Sequence, residues 1–423
     1  MSKRITWKPV HYDEMSKDMI VYIKRRDGSN SYVDFDENFH TISGRFPENI
    51  KHMYQLADGF KDDKDGMIAY MKQFKRWIRE FFAQSKMIYG TGLLYTAGYS
   101  HTHSVMSIFK QLTNPKLYDF IEHPNSNESE YIEKNNNGGL QFCDPQICES
   151  YSYDFKNHFG TCLIDKAFYI SAKCGKEIIL HKMPSYDELY MGYGYLHVKI
   201  TCSNPDIKKL ISFSPNNIYT DIVIMFVYEL KKKMNIKMEL VQDGKPNCYK
   251  YDQEDLIQTR DIFLNHYVKL SELKTKHPTN KLFKRCLSSI WGTLTQKNHL
   301  TRTEEQCIEQ ELDFDYYNAE WIIKDVCYNN DGSEYYELIN SQKPYLHNLA
   351  RIKAYLSSYS RIKTARVALK KLDKVLRIHT DSITFSEQFT YKGITGLVEE
   401  KKTSGMIEWK NVNVYTKIDD EIV

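Results

Sequence analysis

Hydrophobic residues recur at helical spacing in two parts of the chain. Between Met67 and Met87 they stand at positions 67, 68, 71, 74, 77, 78, 81 and 82, and Lys and Arg occupy the other side. From Ile362 to Leu376 the apolar positions are separated by steps of three and four residues. Both patterns predict amphipathic helices. The basic side of the first helix is more simply a solvated face than a DNA-binding one.

Alternating and turn-rich segments complete the pattern. Tyr193 to Thr201 alternates and is rich in aromatic and β-branched residues, which predicts a half-buried strand. Arg377 to Phe385 directly follows the second helix and predicts a hairpin with a His-Thr-Asp turn. The polar stretch from Asn125 to Gly139 predicts a domain boundary or an exposed loop.

The composition is typical of a large globular protein and narrows the classes of function. The 423 residues include 58 Lys and Arg against 55 Asp and Glu, so nucleic-acid binding cannot be inferred from net charge. The longest apolar run, Ile222 to Val227, is far shorter than the roughly 20 residues of a membrane helix, so no membrane partner is expected. Nine Cys without a C-x-x-C pair, and an N-terminus without an apolar signal segment, favour reduced thiols and a protein that is not secreted.

Three separate segments carry residues suited to phosphate chemistry. Asp154 follows an aromatic segment, and Asp381 lies in the predicted hairpin turn. Lys284, Ser288 and Trp291 stand at i, i+4 and i+7 and share one face of a predicted helix. The ammonium could grip a triphosphate, the ring could support a base pair, and two carboxylates could hold Mg²⁺. Taken singly, a turn Asp, a surface Lys and a core Trp are the simpler interpretations.

The order of these segments resembles the palm and fingers of family B DNA polymerases, most closely the protein-primed viral, phage and linear-plasmid branch. The family motif Asp-x-x-Ser-Leu-Tyr-Pro is similar to residues 154–160, and Lys-x-x-x-Asn-Ser-x-Tyr-Gly is similar to residues 284–292. The motif Tyr-x-Asp-Thr-Asp-Ser is similar to Arg377-Ile-His-Thr-Asp-Ser382. A Gly-Gly pair upstream of the first motif is matched by Gly138-Gly139. The resemblance covers roughly residues 85–417.

In that family the matched carboxylates bind catalytic metal ions. The resemblance therefore implies that Asp154 and Asp381 are catalytic and bind Mg²⁺ or Mn²⁺. His379 stands where the family has a further Asp, and it is an additional candidate ligand. An imidazole at this position lowers the local negative charge, which would weaken Mg²⁺ binding and favour Mn²⁺.

The resemblance also implies nucleotide-binding residues. Lys284 would bind the incoming triphosphate, and Phe159, at the position of the family's sugar-discriminating Tyr, would exclude a ribose 2′-hydroxyl. Ser288 and Trp291 would share the nucleotide site, although the family has Asn and Tyr there. Each exchange is a departure from the family pattern.

The resemblance extends to the end of the chain, where further departures occur. Lys410 and Tyr415 lie in a segment similar to the family's primer-contacting Lys-x-Tyr strand, with Asn413 in place of the Lys. Asp13-Glu14 lacks the spacing of the Asp-x-Glu exonuclease signature, so no proofreading is expected. Few residues follow Tyr415, which predicts a reduced or missing thumb.

The implied fold is α+β, a right-hand polymerase with an antiparallel palm sheet and helical fingers. The expected domains are an N-terminal region in place of the exonuclease at 1–135, a first palm segment with the Asp154 motif at 136–255, fingers at 256–300, an insertion at 301–350 and a second palm segment with the Asp381 motif at 351–423.

The resemblance implies a template-directed DNA polymerase of viral or plasmid origin that acts on primer-template DNA and dNTPs. A terminal protein and replication or virion subunits are further expected partners, in the cytoplasm or a virion. The alternative is a polymerase-derived subunit of a viral assembly that binds nucleic acid without catalysis. His379, the altered second motif and the missing thumb favour this alternative.

Overall fold

The computed structural model divides the chain into two compact units. Unit one comprises Met1–Pro115, Val268–Thr293 and His299–Ile339, and unit two comprises Lys116–Tyr267, Leu294–Asn298 and Asn340–Val423. The structure describes residues 19–24, 29–43, 46–47, 50, 52–56, 60–89, 101–135, 137–190, 192–278, 281–309, 312, 320–328, 332–391 and 393–418. The Asp13-Glu14 pair lies outside these residues. Within them, none of the helices is both long and apolar enough to cross a membrane.

Strands and helices are mixed along the described part of the chain. The first elements are β1 (Met19–Lys24), β2 (Ser29–Asp34), β3 (Phe39–Ser43), β4 (His52–Gln55), α1 (Lys64–Tyr89), α2 (His101–Leu112), α3 (Pro115–Phe120), α4 (Ser126–Lys134), β5 (Gln141–Cys143), β6 (Ile147–Phe155), α5 (His158–Leu163), β7 (Tyr169–Ser171), β8 (Lys176–Ile178), α6 (Tyr186–Leu189) and β9 (Tyr195–Cys202). They are followed by β10 (Ile218–Thr220), α7 (Asp221–Lys231), β11 (Ile236–Leu240), β12 (Cys248–Lys250), β13 (Leu256–Gln258), α8 (Thr259–Lys276), α9 (Lys281–Thr293), β14 (His299–Arg302), α10 (Glu304–Glu309), β15 (Trp321–Tyr328) and β16 (Glu334–Asn340). The last are α11 (Ile352–Ala368), β17 (Val375–His379), β18 (Ser382–Phe385), β19 (Leu397–Glu399), β20 (Gly405–Trp409) and β21 (Tyr415–Lys417).

Unit one contains two sheets and several helices. Its first sheet has the strand order β3-β2-β1-β4, and α1 packs against β1 and β2. Met67, Met71 and Phe74 of α1 are buried because their spacing places them on one side of the helix. The helix predicted between Met67 and Met87 is confirmed. A second sheet has the order β14-β16-β15, and α9 packs against α2.

Unit two is built on a seven-stranded sheet. Its strand order is β21-β20-β6-β18-β17-β5, and β19 also pairs with β6. All of these pairings are antiparallel, so an α+β chain with an antiparallel sheet is confirmed. A five-stranded sheet comprises β8 to β12. The strand predicted from Tyr193 to Thr201 is β9 of this sheet, which runs from Tyr195 to Cys202.

The two faces of the large sheet differ in chemistry. Along β6, Tyr153 and Phe155 point into the main hydrophobic core, with Ile383 of β18 and apolar residues of α7 and α11. The alternate positions are polar, because successive side chains of a strand point to opposite faces. Ser152 and Asp154 therefore lie on the other face, where the Ser152 and Thr384 hydroxyls are 2.7 Å apart.

Two predicted elements differ from the structure. The polar stretch from Asn125 to Gly139 is not an exposed loop, because α4 forms within it and buries Tyr131 and Ile132. The Asn125 side chain caps this helix by accepting the Glu128 backbone N–H at 2.8 Å. The helix predicted up to Leu376 ends at Ala368, and a 3₁₀ segment with a non-helical residue, Lys371, leads into β17.

Candidate catalytic site

Asp154 and Asp381 meet at one end of the large sheet. β6 and β18 pair with Asp154 opposite Ser382, so Asp381 is the residue just beyond this pair. The Phe155 backbone N–H donates to the Asp381 carbonyl at 3.0 Å. Both aspartates are partly exposed, whereas Ser382 is buried. The pairing thus places two carboxylate-bearing residues, distant in sequence, at the same edge of the sheet.

The turn that carries Asp381 has an unusual backbone. Thr380 has φ 62°, and the Asp381 N–H donates to the His379 carbonyl at 2.8 Å. A β-branched residue rarely adopts a positive φ, and such strain costs roughly 1–3 kcal/mol. The Thr380 N–H donates to the Leu140 carbonyl at 2.9 Å, and the Thr364 hydroxyl donates to the Thr380 carbonyl at 3.0 Å. These bonds fix the turn, as is common at functional sites.

The second glycine of the Gly138-Gly139 pair has a steric role beside this turn. A Cβ atom at Gly139 would lie 2.5 Å from Thr380 Oγ1, whereas a Cβ at Gly138 would have no heavy atom within 4 Å. Gly139 thus allows the segment that leads into β5 to approach the turn closely.

Gly139→Ala is therefore expected to destabilise the fold by about 1–3 kcal/mol, because the new methyl group overpacks against Thr380. Gly138→Ala is the matched control and should leave stability within about 0.5 kcal/mol of the wild type. Thermal unfolding of both variants measures the difference. Equal stability of the two variants would contradict the close approach.

A buried arginine supports the Gly-Gly segment. Arg361 of α11 donates from Nη1 to the carbonyls of Asn137 and Gly138, both at 2.8 Å, and from Nη2 to the Ser358 hydroxyl at 3.1 Å. Burial lowers the pKa of Arg361 to about 10, so it remains charged at neutral pH. The sequence interpretation did not assign this residue. Its position, four residues before Ala365 on the buried side of the helix, was the available signal.

A second buried arginine, Arg377, belongs to β17, the first strand of the hairpin. Arg377 donates from Nε to the Val412 carbonyl at 2.7 Å, and its guanidinium carbon is 5.0 Å from the centre of the Trp409 ring. Its Nη2 is 3.1 Å from His379 Nδ1, and its Nη1 is 3.4 Å from the Ser382 hydroxyl. The arginine thus contacts both strands of the hairpin and the segment that follows β20.

The two titratable residues of the turn have shifted pKa values. Burial raises the pKa of Asp381, although the neighbouring His379 opposes this effect. Burial, reinforced by the charge of Arg377, lowers the pKa of His379. His379 is therefore neutral at pH 7 and supplies no negative charge to a cation.

The segment after Asp154 forms the short helix α5. Asn157 precedes it with φ 51°, and His158 stacks on Phe155 with a centroid distance of 4.7 Å. His158 Nε2 donates to the Ser360 carbonyl at 3.1 Å, and burial lowers the pKa of His158 to about 4. Phe159, the next residue, is partly buried. The neutral His158 connects α5 to α11 and fixes the start of the helix that carries Phe159.

The other predicted residues have different positions. Lys284, Ser288 and Trp291 share one face of α9 in unit one, where Lys284 and Ser288 are exposed and Trp291 is partly buried. Lys410 lies in the turn between β20 and β21, and its Nζ is 3.4 Å from Glu408 Oε2. Tyr415 begins β21, with its ring 5.3 Å from Trp409. Asp154, Asp381, His379 and Phe159 are thus in unit two, and the Lys284 face belongs to unit one.

The donor set limits what metal could bind. Among the residues that the structure describes, no group of three or more His, Cys, Asp or Glu is placed to hold a metal ion. Two aspartates suffice for Mg²⁺ when substrate phosphates complete its coordination. The pair Asp154 and Asp381 fits that mode of binding.

The chain is similar in fold to phi29 DNA polymerase. With phi29 DNA polymerase complexed with single-stranded DNA, the TM-score is 0.52 at 12% identity, over 84% of this chain and 59% of that chain. With the complex containing primer-template DNA, a post-translocation binary complex, the TM-score is 0.49 at 10% identity, over 84% and 57%. This chain therefore spans about three fifths of the length of that polymerase. The similarity establishes a polymerase-like fold.

No protein-family model and no curated protein matches the sequence.

Proposed function

We propose that this chain is a template-directed DNA polymerase, a divergent relative of the protein-primed family B enzymes. The observation that carries the proposal is the pairing of β6 and β18, which brings Asp154 beside the strained turn of Asp381 in a polymerase-like fold. In this proposal residues 136–255 and 351–423 form the palm, 256–300 the fingers, 1–135 replaces an exonuclease and 301–350 is an insertion.

Catalysis would depend on the two aspartates and one lysine. Asp154 and Asp381 hold divalent cations, Mg²⁺ or Mn²⁺. Such cations, when bound, favour ionisation of the primer hydroxyl and stabilise the leaving pyrophosphate. The two carboxylates determine where the positive charge of the cations lies. The exposed Lys284 neutralises negative charge of the triphosphate.

Other residues would select the substrates. Phe159, held at the start of α5, excludes the ribose 2′-hydroxyl. Ser288 and Trp291 contact the nucleotide from the same helix face as the lysine of the second motif. Lys410 and Tyr415, at the β20–β21 turn, contact the primer backbone.

Phe159→Ala is expected to raise ribonucleotide incorporation relative to deoxynucleotide incorporation by roughly tenfold or more, because the side chain no longer occupies the space of the 2′-hydroxyl. Single-nucleotide insertion with matched rNTP and dNTP measures the ratio. Phe213→Ala, at an exposed position, is the control and should leave the ratio unchanged. An unchanged ratio in Phe159→Ala would remove Phe159 from this role.

A second function is favoured by one observation. His379 replaces an acidic residue of the third motif and is itself held by Arg377. A polymerase-derived subunit that binds nucleic acid without catalysis would tolerate this exchange. Its partners would be replication or virion subunits or a terminal protein, in the cytoplasm or a virion.

Primer extension distinguishes the two functions. The intact chain is incubated with a primed DNA template and dNTPs under Mg²⁺ or Mn²⁺, and DNA binding is followed in parallel by fluorescence anisotropy. Extension under either metal supports the polymerase. DNA binding without extension under both metals supports the non-catalytic subunit.

A further inference from the structure

Arg377 and His379 form a linked pair on the polar face of the large sheet. They are two residues apart in β17, so their side chains project from the same face. His379 is paired with Ser382, and Ser382 with Asp154, so all of these side chains share that face. In the third motif of the resemblance these two positions are Tyr and Asp. The chain thus differs from the motif at two positions whose side chains contact each other.

Arg377 is fixed by contacts other than His379. Its side chain is buried, Nε donates to the Val412 carbonyl at 2.7 Å, and its guanidinium carbon lies 5.0 Å from the Trp409 ring centre. Trp409 is itself buried, and its Nε1 donates to the Ser150 hydroxyl at 2.9 Å. The arginine can therefore present Nη2 to His379 without reorienting.

The contact determines the hydrogen-bonding state of the imidazole. A guanidinium has only donors, so at 3.1 Å from Arg377 Nη2 the Nδ1 atom of His379 must be the acceptor. A neutral imidazole with an accepting Nδ1 carries its proton on Nε2. Nε2 is then an N–H donor and has no lone pair for a metal ion.

We propose that Arg377 is a positioning residue that fixes the tautomer of His379, and that His379 donates Nε2–H to a phosphate oxygen instead of binding a metal ion. The inference rests on the proposed function, because it places a phosphate beside Asp154 and Asp381. Relative to the motif, the two exchanges remove a negative charge and add a positive one. Such a change favours an anionic phosphate oxygen and disfavours a cation.

The acceptor could be a phosphate of the DNA backbone or a phosphate of the nucleotide, and the test distinguishes the two. Nitrogen NMR of the intact chain with isotope-labelled histidine reports which ring nitrogen is protonated, and His379→Gln identifies the resonances by their loss. Primer-template DNA and a dNTP are added in separate samples, each with Mg²⁺. The exposed His181 provides an internal reference.

The expected spectrum has His379 protonated on Nε2, and the Nε2–H resonance shifts with DNA or with the dNTP while that of His181 does not. Arg377→Lys keeps the charge but loses the planar fork, so His379 should then populate both tautomers. A His379 protonated on Nδ1, or an Nε2–H that responds to neither ligand, overturns the proposal. His379 is partly exposed, so His379→Gln should fold normally. The wild-type and His379→Gln spectra therefore test the proposal even if Arg377→Lys does not fold.

Metal affinity gives an independent readout. Mn²⁺ binding, measured by electron paramagnetic resonance, should change by less than about twofold in His379→Gln, because no ligand is lost, and should tighten by about tenfold in His379→Asp, which restores a carboxylate. A loss of more than about tenfold in His379→Gln would make His379 a ligand and refute the donor role. Failure of the wild-type chain to extend a primer would refute the polymerase function but would leave these spectroscopic and binding results unaffected.

Discussion

Asp381→Asn is expected to reduce primer extension by on the order of 10³-fold, because loss of one metal-binding carboxylate removes several kcal/mol of transition-state stabilisation. The variant should nevertheless fold as well as the wild type. Burial raises the pKa of Asp381, so at neutral pH its ionised carboxylate opposes folding. Asn keeps the shape without the charge, and the melting temperature should stay the same or rise slightly.

The control for Asp381→Asn is the same substitution at an aspartate outside the candidate site. Asp373 lies in the 3₁₀ segment before β17, whereas Asp381 lies in the turn after that strand. Asp373 is exposed, so Asp373→Asn should retain extension and stability. Asp154→Asn should lose extension like Asp381→Asn. Steady-state extension rates and melting curves of the three variants measure both properties. Full extension by Asp381→Asn would remove this residue from catalysis, whatever the melting curves show.

Glu128→Gln is expected to destabilise unit two by about 3–5 kcal/mol, since it leaves a buried arginine without its counter-charge. Arg351 Nε is 2.7 Å from Glu128 Oε1 and Nη2 is 2.9 Å from Oε2, and both side chains have 0% of their surface exposed. Tyr251 also donates to Glu128 Oε1 at 2.7 Å, and Arg351 Nη1 donates to the Ser171 carbonyl at 2.9 Å. The pair therefore links α4, β7 and the segment before α11.

Denaturant unfolding of matched variants separates the charge from the helix. Glu130→Gln, at an exposed position of the same helix whose carboxylate pairs with Lys134, should cost less than about 1 kcal/mol. Glu128→Leu combined with Arg351→Met removes both buried charges and should be more stable than Glu128→Gln alone. Equal stability of Glu128→Gln and the wild type would mean that the Arg351 charge is compensated by other groups.

Part of the candidate site follows from local sequence pattern. The hairpin around Asp381, the α9 face of Lys284, Ser288 and Trp291, and the long helix α1 depend on residues near each other in the chain. Their spacing is visible in the sequence because a helix repeats in about 3.6 residues and a strand in two. The roles of these residues as catalytic or substrate-binding groups remain predictions.

Other parts of the site could not be predicted. The polar residues from Asn125 to Gly139 predicted a domain boundary or an exposed loop, but Glu128 is buried against Arg351, more than two hundred positions away. Arg377 was noted only as the first residue of the segment similar to the third motif, and its contact with Trp409 and Val412 depends on the fold. A run of polar residues predicts a solvent-exposed segment only where the fold brings no hydrogen-bonding or charged partner to the polar side chains.

The sequence by itself therefore determined the helices α1 and α9, the hairpin and the short list of candidate residues, because these depend on periodicity and local turn chemistry. The tertiary structure decided which of these residues lie together. It set the register that places Asp154 opposite Ser382 and packed the Thr380 turn against Gly139. It also decided which nitrogen of His379 accepts the hydrogen bond from Arg377. The physical reason is that strand register and buried hydrogen bonds are set by partners remote in sequence, whose approach only the packed core fixes.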